Sequence, residues 1–76
     1  MKNLCNKMVK PENAYEVWQG FGMSQGWTWY VLKKWQADDD AEYARWHCLV
    51  KSPFTPEGEY GDEYVSEIKS NAKRIK

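Results

Sequence analysis

The stretch GWTWYVLKKWQ, residues Gly26–Gln36, constrains this chain most, because four large aromatic side chains fall within one short extended run. Alternation along a strand predicts one face bearing Trp27, Trp29, Val31 and Trp35 and another bearing Tyr30 and Leu32. Both faces are then apolar, which is typical of a central strand covered on both sides. The stretch therefore predicts a sheet whose middle strand is rich in tryptophan.

The number of aromatic residues matters because the chain has only 76 residues, enough for one small domain. Its five Trp, five Tyr and two Phe side chains can each bury about 150–250 Å², so a few residues suffice for a core. Residues 1–13 show no periodicity and are predicted to form a flexible N-terminal arm. Residues 14–76 are predicted to form the single domain.

Two further strands are predicted beside the aromatic one. Residues 14–19 alternate like a strand, and residues 43–52 place Ala44, Trp46, Cys48 and Val50 on a core face, opposite Tyr43, Arg45, His47, Leu49 and Lys51. Trp29, Trp46, Cys48 and Val50 are the predicted core. Connections are predicted at the glycine-rich GFGMSQG, which we interpret as a hairpin loop, at the acidic turn Asp38–Asp40, and at the long loop PFTPEGEYG.

The C-terminal segment fits two structures. Tyr64, Val65, Ile68 and Ala72 recur at helical spacing, with acids early and bases late, which predicts a helix from about Asp62 as its N-cap. We therefore expect an α+β fold: a small antiparallel three-stranded meander with a C-terminal helix. The alternative is an all-β, SH3-like barrel closed by strands DEYVSEI and AKRI.

Charge and cysteine content limit the class of protein. The net charge is zero, but residues 1–36 carry about +3, residues 37–67 about −7 and residues 68–76 about +4. Cys5 and Cys48 lie in dissimilar surroundings and do not suggest a disulfide staple, and no apolar stretch is long enough to span a membrane. We expect a cytoplasmic protein that contacts no membrane.

Catalysis is not expected. His47 and Cys48 are adjacent on a predicted strand, so their side chains point to opposite faces and cannot share a proton. Two Cys and one His do not form a zinc set, and the acidic turn lacks the spacing of an EF-hand loop. We expect no enzymatic activity, no metal and no cofactor.

Three segments together carry a resemblance. The pattern W-x-W-x-V-L-K-x-x-Q, then Y-A-R-W-x-C-x-V-x-S-P-F-T, then E-Y-G-D-x-Y-V-x-x-I, over residues 27–36, 43–55 and 59–68, resembles that of small uncharacterised proteins encoded by bacteriophages and some bacteria. Such proteins carry no assigned activity or catalytic residues. The resemblance implies a phage or accessory-gene origin and an action by binding a host or virion component.

A binding role is the resulting expectation, and it leaves three partners open. The first hypothesis is a non-catalytic protein-interaction module that contacts its partner through Tyr30, Tyr43, Arg45, His47, Phe54 and Tyr60. The second is a single-stranded nucleic-acid binder, with exposed aromatics stacking on bases and phosphates held by Lys33, Lys34, Lys51, Lys73 and Arg74. A third is a homo-oligomer in which a second copy covers the apolar sheet face.

Overall fold

The computed structural model describes Ala14, residues 16–36 and residues 43–76. The predicted arm at residues 1–13, Tyr15 and the acidic turn Asp38–Asp40 lie outside these residues. The described elements, in chain order, are strand β1 (Glu16–Gly20), a 3-10 helix (Gly22–Ser24), strands β2 (Thr28–Lys34), β3 (Arg45–Lys51) and β4 (Glu59–Tyr64), helix α1 (Val65–Asn71) and strand β5 (Ala72–Arg74).

The strands form one antiparallel sheet in the order β4-β3-β2-β1-β5. The α+β class is confirmed, but the prediction of three strands is wrong, because the described residues form five. The extra strands come from segments with conflicting signals: Glu59–Tyr64 contains a glycine and three acids, and Ala72–Arg74 is very short. Pairing with β3 and β1 holds them extended. The sheet formed by the described residues does not close, so the barrel alternative is also wrong.

The sheet has two faces, which we name by what packs on them. The helix face carries the side chains that form the core with α1; the buried members are Trp29, Val31, Trp46, Cys48 and Val50 from the sheet, with Val65, Ile68 and Ala72 from the helix and β5. The second face carries the alternate residues, which in β3 are Arg45, His47, Leu49 and Lys51. The predicted core of Trp29, Trp46, Cys48 and Val50 is confirmed.

Helix α1 begins three residues later than Asp62, the predicted N-cap, because β4 continues through Tyr64. Asp62 pairs with His47 and Tyr64 pairs with Arg45 in the β3–β4 ladder. Tyr64 makes no side-chain cap, and the first helical N–H, that of Val65, instead donates to the carbonyl of Ala44 at 3.0 Å. A tertiary contact therefore replaces the predicted carboxylate cap, while Val65 and Ile68 still face the core as predicted.

A bulge in β2 changes which side chains share a face. The β2–β3 register shifts between Val31 and Lys33, leaving Leu32 as the extra residue, and Lys33 pairs with His47. After Leu32, each residue therefore lies on the face opposite to the one that strict alternation predicts. Trp35 consequently contacts His47 on the second face, so the prediction that Trp35 shares a face with Trp29 is wrong.

Among the described residues, Glu16 is the buried charged residue of the helix face, and it has three partners. Its carboxylate accepts hydrogen bonds from the Trp18 indole at 2.9 Å and from the Lys34 ammonium, and the Arg74 guanidinium lies 3.8 Å away. Burial raises the pKa of Glu16, but the hydrogen bonds from Lys34 and Trp18 and the two positive charges outweigh it, so the net pKa is lowered.

The core position of Trp46 gives a first prediction. Its side chain is only 1% exposed, so Trp46→Ala should lower the free energy of unfolding by about 3–5 kcal/mol through loss of buried surface and a residual cavity. Met23→Ala, at a fully exposed position, should change it by less than about 0.5 kcal/mol. Urea denaturation measures both. An unchanged midpoint for Trp46→Ala would contradict the register of β3.

Glu16 gives a second prediction. At neutral pH Glu16→Gln should lower the free energy of unfolding by about 1–3 kcal/mol, because Trp18 and Lys34 lose a charged acceptor. The folded-state pKa lies below the ordinary value of 4.5, so this stabilisation is complete above that value and is lost as the pH falls through the folded-state pKa. Urea denaturation from neutral to acidic pH should show the difference between the two proteins shrinking; a constant difference would contradict it.

Candidate binding surface

The second face is built from rows of side chains that run across the strands. Tyr30, Leu49 and Tyr60 pair across β2, β3 and β4, and the next row contains Lys33, His47 and Asp62. Because directly paired residues project to the same side of a sheet, each row is contiguous. Aromatic, cationic and imidazole groups therefore meet on one face.

Asp62 organises the polar part of this surface. One of its carboxylate oxygens, Oδ1, accepts from the Trp35 indole Nε1 and lies against the His47 Nδ1, each at 3.0 Å. A carboxylate can only accept, so the Nδ1 of His47 carries the proton. The hydrogen bond from Trp35, followed by that from His47, lowers the pKa of Asp62. Two rings, one directly after β2 and one in β3, thus contact the same anionic atom.

The same rings also contact each other. His47 stacks on Tyr60 with centroids 6.1 Å apart and planes 11° from parallel, and Trp35 meets His47 edge-on at 6.4 Å. Tyr60 and Trp35 nevertheless remain nearly half exposed, at 46% and 45%. We call Trp35, His47, Tyr60 and Asp62 the aromatic cluster. Its side chains are restrained by contacts with each other, and two of its rings remain partly exposed to solvent.

Lysine side chains cover two rings of the second face. The Lys33 ammonium lies 4.3 Å from the centroid of Trp35, and the Lys51 ammonium lies 5.4 Å from that of Tyr30. Both distances fall within the range of cation–π attraction. These ring faces are therefore occupied by the chain's own cations.

Charges are sorted between the two faces. The positions of the second face include Lys33, Arg45, Lys51 and Lys73, against Asp62 as the acid, whereas the acids Glu16, Glu59 and Glu63 belong to the helix face. Lys34 and Arg74 also belong to the helix face, where they meet Glu16. The cations predicted for nucleic-acid binding are therefore split between the faces, and only Lys33, Lys51 and Lys73 share the second one.

The predicted binding residues are mostly brought together. Tyr30, Arg45, His47 and Tyr60 share the second face, and Tyr43 precedes β3 with most of its side chain exposed. Phe54 does not join them, because the β3–β4 loop carries it to the groove described next. The sequence does not point to Trp35 or Asp62 as site residues: no sequence signal marks the bulge that brings Trp35 to the second face, and the local pattern predicts Asp62 as a helix cap.

A groove of about 300 Å³ opens on the helix-face side, beyond the end of the core. Its walls include Trp27, Trp29, Phe54, Glu59 and Glu63. The loop that presents Phe54 is held by Ser52, whose hydroxyl accepts from the backbone N–H groups of residues 54 and 55 at 3.2 and 3.1 Å. The groove therefore combines aromatic walls with two carboxylates.

His47 and Cys48 are divided by the sheet, as predicted. His47 pairs with Asp62 on the second face, whereas Cys48 is fully buried in the core. Burial, followed by the charges of Glu63 and Asp62, raises the pKa of Cys48 to about 12. The thiolate needed for nucleophilic attack is therefore strongly disfavoured at neutral pH.

Asp62 gives a third prediction. Asp62→Ala should release both rings, so the indole N–H resonance of Trp35 should shift and exchange faster with solvent. Because Asp62 is substantially exposed, the free energy of unfolding should fall by less than about 1 kcal/mol. Two-dimensional NMR of the indole and imidazole groups measures the first effect. Glu59→Ala, on the other face of β4, is the control and should leave the Trp35 resonance in place.

Within the described part of the chain, no three His, Cys, Asp or Glu side chains converge as a metal site. None of the helices described there has the length and apolarity to cross a membrane. No protein-family model, curated protein or solved structure matches the chain.

Proposed function

We propose that the protein is a non-catalytic interaction module that binds a protein partner through the second face of its sheet. The observation that carries the proposal is the aromatic cluster, held by Asp62 beside the edge strand β4. Tyrosine, tryptophan and arginine dominate the binding energy of protein interfaces, and the cluster lies next to Arg45 and Tyr64.

Preorganisation supports this role. An exposed aromatic side chain normally loses rotamer freedom when it binds, which costs about 0.5–1.5 kcal/mol per ordered side chain. Trp35 and His47 are already restrained by hydrogen bonds to one carboxylate, and Tyr60 is restrained by stacking. A partner that contacts them therefore meets rings that have already lost much of this freedom.

The state of the ring faces favours a protein over a nucleic acid. Base stacking needs an open π face. His47 covers one face of Tyr60, and a lysine ammonium lies over one face of Trp35 and one face of Tyr30, so fewer π faces are open for stacking and the ring edges and Tyr hydroxyl groups make up more of the accessible surface. Edges and hydroxyl groups suit the mixed polar and apolar contacts of a protein interface.

Single-stranded nucleic acid is the second candidate, and the sorting of charge between the faces favours it. A neutral chain gains little from phosphates, but Lys33, Arg45, Lys51 and Lys73 give the second face a local positive charge. Local charge attracts a phosphate backbone even when the net charge is zero.

The resemblance to phage and bacterial proteins extends the proposal to the partner. We expect a cytoplasmic protein of a bacterial or phage-infected cell, with a host or virion protein as the partner. A second copy of the chain is a further candidate occupant of the second face, so the oligomeric state is measured first by sedimentation equilibrium.

The fourth prediction tests the second face. Tagged protein should capture a defined partner from bacterial lysate, and Tyr60→Ala combined with Arg45→Ala should reduce the captured amount at least about tenfold, as expected for loss of hot-spot residues. Met23→Ala, which removes a fully exposed apolar side chain outside the sheet, should capture the same partner in full. Quantitative mass spectrometry measures the ratio.

Nucleic acid is tested with a second pair of substitutions on the same face. Labelled oligothymidine and oligouridine are titrated at low salt, where charge effects are strongest. Micromolar binding that weakens steeply with salt and disappears in Lys33→Ala combined with Lys51→Ala would replace the protein-partner proposal with the second candidate. Equal partner capture by all variants would contradict the role of the second face.

A further inference from the structure

The groove beside the core combines two features that seldom occur together. Trp27 and Trp29 project to the same side of the chain and stack, with ring centroids 6.1 Å apart and planes 25° from parallel. Glu59 and Glu63 project from β4 into the same groove. Indole rings are electron-rich on their faces, and the carboxylates add full negative charge.

Glu63 lies in this groove without a cation supplied by the described residues. It is partly buried, and among the described residues none donates a hydrogen bond to its carboxylate or forms an ion pair with it. Burial, followed by the charges of Glu67 and Asp62, raises the pKa of Glu63. Glu16, on the same face, instead has Lys34, Arg74 and Trp18 around it. The charge of Glu16 is thus neutralised by described residues, and the charge of Glu63 is not.

We propose that the groove binds the guanidinium group of an arginine side chain supplied by a partner polypeptide. The flat guanidinium stacks on the indole of Trp27 or Trp29 and donates hydrogen bonds to Glu63, with Glu59 adding a second negative charge. Charge complementarity identifies the occupant as a cation, and the aromatic walls identify it as one that gains from stacking.

Arginine fits this groove better than lysine for two physical reasons. Its guanidinium is planar and weakly hydrated, so it leaves water for an aromatic wall at lower cost than an ammonium group does. It also presents a fork of N–H donors that matches a carboxylate, whereas an ammonium is a point charge. A quaternary ammonium would use the indoles but would donate nothing to Glu63.

This site goes beyond the proposed function, because the groove lies on the helix-face side and the aromatic cluster lies on the second face. The two sites share strand β4, and Tyr60 of the aromatic cluster also lines the groove, but the carboxylates and indoles on which the arginine site rests are not part of the aromatic cluster. Loss of one is therefore separable from loss of the other.

The fifth prediction is a titration of the whole chain with N-acetyl-arginine amide, followed by NMR through the indole N–H resonances of Trp27 and Trp29. Saturable shifts with a dissociation constant of about 1 mM are expected for a ligand of this size. N-acetyl-citrulline amide, which has nearly the same shape but no charge, should cause no saturable shift. N-acetyl-lysine amide should bind at least about threefold more weakly.

Matched variants locate the site. Glu63→Gln should raise the dissociation constant by about threefold to tenfold, as expected for loss of a charge-assisted hydrogen bond. Glu67→Gln removes the same charge from the exposed surface of α1 and should change it by less than about twofold. The amide spectrum of each variant reports its folding, and Glu63→Gln should fold at least as well as the parent, since it removes a charge that burial disfavours.

Three results would overturn the proposal. The first is no saturable shift at Trp27 or Trp29 up to about 50 mM ligand, which is about fiftyfold above the expected dissociation constant. The others are binding of the citrulline or lysine amide as tight as that of the arginine amide, and equal effects of Glu63→Gln and Glu67→Gln on the dissociation constant. Shifts confined to Trp35 would also overturn it, because they would place the ligand on the second face. None of these results bears on partner capture by the second face, so the two proposals fail independently.

Discussion

The burial of Trp46 is the constraint on which the rest of the structure depends. Its ring lies between the sheet and α1, contacts the ring of Trp18 at 5.7 Å and has the Lys34 ammonium 4.7 Å from its centroid. A strand allows only two orientations, so placing Trp46 inside places Arg45 and His47 outside. A register slip of one residue would bury an arginine and an imidazole and expose the largest core side chain. The aromatic cluster therefore follows from the same packing that stabilises the fold.

Strand β4 connects the two candidate sites. Its alternate residues give Tyr60 and Asp62 to the second face and Glu59 and Glu63 to the groove. Edge strands need protection against pairing with other chains, and charged side chains provide it. The acids of β4 have two roles. They discourage pairing of the edge with another chain, and one of them, Asp62, orders two aromatic rings. A strand with weak strand propensity thus contributes most of the polar chemistry.

The sorting of charge between the faces gives a neutral chain two different surfaces. Alternation places Arg45 and Lys51 of β3 opposite the core, and pairing brings Lys33 and Lys73 to the same side. The acids of β4 mostly go the other way. The charge along the sequence divides into an acidic middle segment and basic end segments. This division does not predict the charge of either face of the sheet. A sheet places strands from distant segments side by side and sends alternate residues of each strand to opposite faces. The charge of each face therefore depends on the register of the strands.

Sequence alone determined the parts of this protein governed by local alternation and side-chain size. It predicted the core of Trp29, Trp46, Cys48 and Val50, the division of His47 from Cys48 and the second-face positions of Tyr30 and Arg45, because each depends on a period of two within an aromatic strand. Tyr60, in contrast, is predicted to lie in a loop, and its place on the second face comes from the pairing of β4 with β3. Only the tertiary structure decided the bulge at Leu32, which brings Trp35 to Asp62, and the division of residues 59–74 into strand, helix and strand. These features depend on hydrogen bonds between residues far apart in the sequence, such as that from Val65 to Ala44, which outweigh local propensity. Such hydrogen bonds produce no periodic pattern in the sequence.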